Sequence, residues 1–204
     1  MEYFCVSEFV EITSQEPFQE SRMTIALIVV DMQDFFAGMT ETAMPQIVKL
    51  VNHFKSRSLP CIFTQHGHTN EELTPPFHNQ LVRKWGPSGS IARGSQDWEL
   101  IPEIKSLAEG SRIVAKNTYD AFINTDLEKV LRDQNVDTVA VCGVMTDCCC
   151  DTTARSAFNR GFETWLVEDA CGTATQKQHK AGINGFGFAF GDVMQTSQLL
   201  QRLG

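Results

Sequence analysis

The sequence predicts a doubly wound α/β fold built on a parallel sheet. Two features predict it. Short β-branched runs alternate with longer helix-compatible stretches, the pattern of βαβ units. The runs are also continuously apolar, as strands covered on both faces must be. In order, Ile25-Ala-Leu-Ile-Val-Val ends at Asp31, Cys61-Ile-Phe-Thr follows Pro60, and Arg112-Ile-Val-Ala ends at Lys116. Thr138-Val-Ala-Val-Cys then leads into Gly143, and Thr164-Trp-Leu-Val ends at Glu168 and Asp169. Asp192-Val-Met is a weaker sixth run. Helices are expected over about 42–57, 124–135, 148–160, 176–190 and 196–203, the second carrying Leu127, Val130 and Leu131 at i, i+3, i+4. The stretch from about 67 to 100 holds Pro75, Pro76, Gly86, Pro87, Gly89 and Gly94, and is read as a functional loop or lid.

The chain has 204 residues, of which 42% are hydrophobic and 21% charged, enough for one sizeable core. Its formal net charge of −8 argues against a nucleic-acid partner and against acidic membrane surfaces. No apolar run approaches the roughly 20 residues of a membrane span. Residues 1–22 contain Glu2, Glu8, Glu11, Glu16 and Glu20 and lack the basic start and apolar stretch of a secretory leader. They are read as an N-terminal extension to a domain over 23–204, with Tyr3, Phe4, Phe9 and Phe18 suited to docking. The seven cysteines are an odd number, so a reducing, cytoplasmic setting is expected rather than a disulfide framework. No cysteine or histidine spacing signals structural zinc, and no cofactor is implied. Gly182, Gly185, Gly187 and Gly191 follow no strand-to-helix turn, so they read as helix-packing residues rather than a dinucleotide fingerprint. Phe186, Phe188 and Phe190 read as core or subunit-contact residues.

Ligands of open α/β sheets bind beyond the carboxyl ends of the strands. Three reactive groups fall there: Asp31 after the first strand, Lys116 after the third, and Cys148-Cys149-Cys150 opening the helix after the fourth. Thr146 or Asp147 is placed to cap that helix, whose first turn would favour a thiolate and bind a developing oxyanion. Consecutive helical positions point about 100° apart, so a single pocket takes one thiol of the three. Cys150 shares a stripe with Ala154, Ala157 and Phe158 and reads as core; Cys148 lies above the polar row Thr152, Arg155, Asn159. Cys149 is the better candidate for a pocket mouth. Asp31 would take the thiol proton and return it to a leaving amine, and Lys116 would lower the thiol pKa. His66 and His68 compete as substrate contacts; a metal would need at least one further ligand, and residues 61–68 contain no Asp.

Three blocks in this order, Leu27-Ile-Val-Val-Asp31-Met-Gln-Asp-Phe35-Phe36, Lys116-Asn-Thr-Tyr119-Asp-Ala-Phe122 and Gly143-Val-Met-Thr-Asp147-Cys-Cys149, resemble the isochorismatase-like cysteine hydrolases. The likeness runs from about Ile25 to Leu203, nearly the whole chain. It implies a three-layer, six-stranded parallel sheet of order 3-2-1-4-5-6. It also implies a triad of Asp31, Lys116 and Cys149, a cis peptide between Val144 and Met145, and an oxyanion hole from the N–H groups of Met145 and Cys149. A homodimer or homotetramer without metal is expected. Metal-dependent nicotinamidases carry an Asp-x-His element where this chain reads Thr64-Gln65-His66-Gly67-His68. Retention of Cys149 favours hydrolysis of a small planar or carboxylated amide, with Phe36, His66, Trp85, Tyr119 and Phe122 as candidate pocket walls. The alternatives are isochorismatase, with Asp31 as general acid, and a non-catalytic binding protein of the same fold.

Overall fold

Six apolar segments assemble into one parallel sheet in a computed structural model that describes residues 23–204. The strands are β1 (Ile25–Val30), β2 (Cys61–His66), β3 (Arg112–Lys116), β4 (Thr138–Val144), β5 (Glu163–Gly172) and β6 (Asp192–Met194). Their order is β3-β2-β1-β4-β5-β6 and every pairing is parallel. The helices are α1 (Met44–Ser56), α2 (Gln80–Trp85), α3 (Pro102–Leu107), α4 (Leu127–Asp133), α5 (Asp151–Asn159), α6 (Gln176–Ala189) and α7 (Thr196–Leu203). The expected N-terminal extension, 1–22, lies outside the described residues.

The pleat of β1 explains the layers. Ile25, Leu27 and Val29 point to one face, where they join Ile47, Leu50 and Phe54 of α1, Ile104 of α3 and Leu199 of α7. Ala26, Ile28 and Val30 point to the other, against Leu127 and Leu131 of α4, Ala154 and Ala157 of α5, and Ile183 and Phe186 of α6. Each large side chain buried this way contributes roughly 1.5–3 kcal/mol, so the central strand anchors both cores. The winding direction reverses between β1 and β4, which leaves a crevice beyond their carboxyl ends. At that point Gly143 has φ 115°, and a Cβ there would lie 2.2 Å from the Val30 carbonyl oxygen. Only glycine lets β4 approach the end of β1 this closely.

Several expectations need correction. Residues 67–100, read from sequence as a functional loop or lid, also contain α2, whose start is capped by Asn79 accepting from the Leu81 amide at 2.8 Å. β5 continues past its acids because α7 satisfies them. The Asp169 carboxylate accepts from the Thr196 amide and hydroxyl at 2.7 and 2.8 Å, and Glu168 accepts from Gln195 at 2.8 Å. β3 is an edge strand and exposes Arg112, Ile113 and Ala115. The helix after β4 opens two residues early as a π-turn, Thr146–Cys150, running into α5. Neither Thr146 nor Asp147 caps it. The Thr146 hydroxyl bonds His179 Nδ1 at 2.9 Å, and the Asp147 carboxylate accepts from Thr173 at 2.6 Å. Phe186 is core, whereas Phe188 is 90% exposed.

Candidate active site

The ends of two strands and one turn deliver the three expected reactive groups to a single place. Asp31 leaves β1 with φ 48°, its amide bonded to Thr64 Oγ1 at 3.1 Å, and the Thr64 hydroxyl donates back to Asp31 Oδ1 at 2.6 Å. A polar residue inside buried β2 thus fixes both main chain and carboxylate. The other carboxylate oxygen, Oδ2, faces Lys116 Nζ at 2.6 Å. That ammonium also donates to the Thr118 carbonyl at 2.9 Å and lies 3.5 Å from Cys149 Sγ. Asp31, Lys116 and Cys149 are all buried. The peptide between Val144 and Met145, which leads into the thiol turn, is cis.

Burial sets the resting charge state. For Lys116, burial works against the ammonium, but Asp31 and the adjacent sulfur outweigh it and its pKa is raised. For Cys149, burial pushes the thiol well up, Lys116 offsets part of this, and the neighbouring Asp31 carboxylate pushes it further. Lys116 lowers the thiol pKa as expected, but burial outweighs it, so the thiol rather than the thiolate is favoured at rest. At rest the sulfur holds its proton beside a carboxylate that can accept it.

Cys149 opens onto a cavity of about 290 Å³, with Asp31 and Lys116 buried behind it; the lining is Phe35, Phe36, Met39, His66, His68, Leu81, Trp85, Gly89, Ser90, Ile91, Tyr119, Met145, Cys148, Cys149, Ala174 and Gln178. None of these carries an Asp, Glu, Lys or Arg side chain. The walls are aromatic and thioether surface, and the Trp85 indole N–H donates to the Tyr119 hydroxyl at 3.0 Å.

Comparison with known proteins agrees with this architecture. A family model described as the isochorismatase domain matches residues 25–198. The chain belongs to the isochorismatase family. It is 34% identical to nicotinamidase 3 of Arabidopsis thaliana over 87% of this chain and 88% of that protein. A cysteine hydrolase structure from Pseudomonas syringae pv. phaseolicola superposes with a TM-score of 0.78 at 27% identity, covering 88% of this chain and 92% of that one. The N-carbamoylsarcosine amidase of Thermoplasma acidophilum gives a TM-score of 0.73 at 27% identity, covering 85% and 97%. These relatives are hydrolases, and a hydrolase of the isochorismatase family is what this chain is.

Of the pocket walls anticipated from sequence, Phe36, His66, Trp85 and Tyr119 line the cavity with Met145 and Cys149. Phe122 does not. Asp120 accepts from the Phe122 amide at 2.8 Å and turns the chain inward, so the Phe122 ring stacks on Phe162 at 6.2 Å in the core under α4 and α5. Cys148 also departs from expectation, since it lines the cavity beside Cys149. The wider winding of the π-turn brings two consecutive thiols toward one opening, which the 100° spacing of an α-helix would forbid. Cys150 is core, as expected.

Other residues of this family site carry no sequence signal. Buried Gln33 accepts from the His66 amide at 2.7 Å and donates to the His66 carbonyl at 2.9 Å, gripping that residue from both sides. Glu72 accepts from Asn79 and Asn117 through Oε1, and from the Thr69 amide through Oε2, which lies 3.7 Å from His68 Nδ1. Burial works to raise the Glu72 pKa, but these hydrogen bonds outweigh it and hold the group ionised. Among the described residues no group of three or more His, Cys, Asp or Glu side chains is arranged to hold a metal ion. Among them, too, no helix is long and apolar enough to cross a membrane.

Proposed function

We propose that this chain is a cysteine amidohydrolase acting on a small, uncharged, planar amide. One observation carries the reading: a buried Asp31–Lys116 ion pair stands beside the Cys149 thiol, which lines a cavity with no charged wall among the described residues. Asp31 takes the thiol proton as Sγ attacks the carbonyl carbon. A C–S bond forms while the carbonyl oxygen gains charge, which the N–H groups of Met145 and Cys149 receive. Collapse breaks the C–N bond, and Asp31 returns its proton to the nitrogen, which leaves as ammonia or an amine. Water then gives a proton to Asp31 and attacks the thioester. The C–S bond breaks, the sulfur recovers its proton, and a carboxylic acid departs. Lys116 stays protonated throughout and balances the negative charge as it moves between carboxylate and sulfur. A homodimer or homotetramer is the proposed assembly.

The cavity argues against the isochorismatase alternative. Isochorismate carries two carboxylates, and stripping two anions of water in a pocket whose described walls hold no Lys or Arg is costly. A ureido acid, with one carboxylate, meets half of that cost. The test offers nicotinamide, benzamide, ureidoacrylate and isochorismate to wild type and to Cys149→Ala. Amide turnover lost in the variant supports the proposal. Isochorismate turnover that survives in the variant supports the alternative. Silence on all four substrates, with no thiol-directed labelling of Cys149, supports a non-catalytic binding protein.

A further inference from the structure

The turn that carries Cys149 passes over one amide in its hydrogen-bond ladder. In an α-helix the Met145 carbonyl would accept from the amide four residues on, which is that of Cys149. Here it accepts from the amides of Cys148 and Cys150, each at 3.1 Å, and skips the one between them. The Asp151 amide likewise reaches back to the Thr146 carbonyl, beyond the α spacing. This is the wider π winding of Thr146–Cys150, and such single turns are frequent at functional sites. Its chemical effect is specific. The Met145 carbonyl does not occupy the Cys149 N–H, the group that the proposed mechanism assigns to the oxyanion. Relaxation to α winding would close that N–H onto the Met145 carbonyl and take it from the substrate.

π winding is rare, so contacts from outside the turn must hold it. They come from the end of β5 and from α6. Thr146 is fully buried, and its hydroxyl shares a hydrogen bond of 2.9 Å with His179 Nδ1 on α6. Asp147 accepts from Thr173, just after β5, at 2.6 Å. The close approach of α6 depends on Gly182, where a Cβ would lie 2.9 Å from Asp147 Cα. At the far end of the turn Cys150 is packed in the core with Ala154 and Ala157. Of these contacts, His179 acts on the residue next to Met145, where the ladder starts. Without it a buried hydroxyl would be stranded and would turn to a nearby backbone carbonyl, drawing the turn with it.

We propose that His179 is a positioning residue: through Thr146 it holds the thiol turn in its π winding and keeps the Cys149 N–H for the oxyanion. This rests on the amidohydrolase reading. His179 is not among the cavity walls, so its loss slows the chemical step and leaves substrate binding intact.

The experiment measures kcat and KM for nicotinamide or benzamide, whichever wild type turns over faster. The variants are His179→Leu, which removes the partner, His179→Asn, whose side-chain amide stands in for Nδ1, and Thr146→Val, which removes the hydroxyl at nearly constant shape. His179→Leu and Thr146→Val are each expected to lower kcat about 10- to 100-fold with KM held within about threefold. His179→Asn is expected to stay within about fivefold of wild type. The double variant should match the weaker single variant within about threefold, because both substitutions break one bond. A loss confined to KM, a lowered melting temperature with kcat unchanged in both single variants, or losses that multiply in the double variant overturns the proposal alone. Should His179→Leu fail to fold, Thr146→Val carries the test, with Thr146→Ser as the variant that restores the hydroxyl and the rate. Wild type that hydrolyses neither amide overturns the amidohydrolase reading and this proposal with it.

Discussion

Acidification of the folded protein makes His66 measurable. Its pKa falls from 6.5 to about 3, first because burial strips water from the ring and second because Lys116 is near. A histidine with a depressed folded-state value binds its proton more readily in the unfolded chain. The stability it contributes is complete above pH 6.5 and is lost as the pH falls toward 3. Within that window each pH unit costs about 1.4 kcal/mol, so a shift from pH 7.5 to 5.0 costs about 2 kcal/mol through this residue alone. The figure is insensitive to the folded-state value, because any pKa below about 4 gives the same loss at pH 5. Urea unfolding at the two pH values, in wild type and His66→Phe, isolates the effect, since all other titrating groups cancel in the difference. Wild type should lose about 2 kcal/mol more than the variant. Equal losses, within about 0.5 kcal/mol, would refute the claim that the ring is buried neutral.

Other outcomes follow from the same geometry. Cys149→Ala should lower amide turnover at least about 10³-fold in an ammonia-release assay while leaving the far-UV circular dichroism spectrum intact. Lys116→Met strands the Asp31 carboxylate in the core and should destabilise by about 3–5 kcal/mol in urea titrations; a loss under 1 kcal/mol would contradict the buried pair. Because burial raises the Cys149 thiol, alkylation of the ligand-free protein at that cysteine should still be accelerating above pH 9, and a plateau near pH 7 would speak against it. Gly143→Ala places a methyl group against the Val30 carbonyl and should cost about 3 kcal/mol or more in thermal unfolding.

Hydrophobic patterning made most of the fold legible, because β1, β2 and β4 are buried on both faces and read as unbroken apolar runs. The ends of those runs placed Asp31 and the cysteine turn, and the end of β3 placed Lys116, since an open parallel sheet collects such residues on one edge. Features set by polar partners were not legible. Nothing in the spacing of Thr64, Gln33 or Glu72 distinguishes a buried hydrogen-bonding residue from a solvated one, and Thr146 and Asp147 look like helix caps until His179 and Thr173 are seen beside them. Phe122 follows Tyr119 by three residues, yet the Asp120 turn sends one ring to the cavity and the other to the core. The thiol defied simple electrostatics for a related reason. Sequence shows the neighbouring cation, but not the loss of water that outweighs it.

The protonated sulfur has a consequence beyond hydrolysis. Peroxide and disulfides react with thiolates, so burial, which raises the Cys149 pKa, works against their reaction with this sulfur in the ligand-free protein. Under the proposed mechanism reactivity arrives with the acyl compound that fills the cavity, and the same burial that holds the proton disfavours oxidation of the idle sulfur.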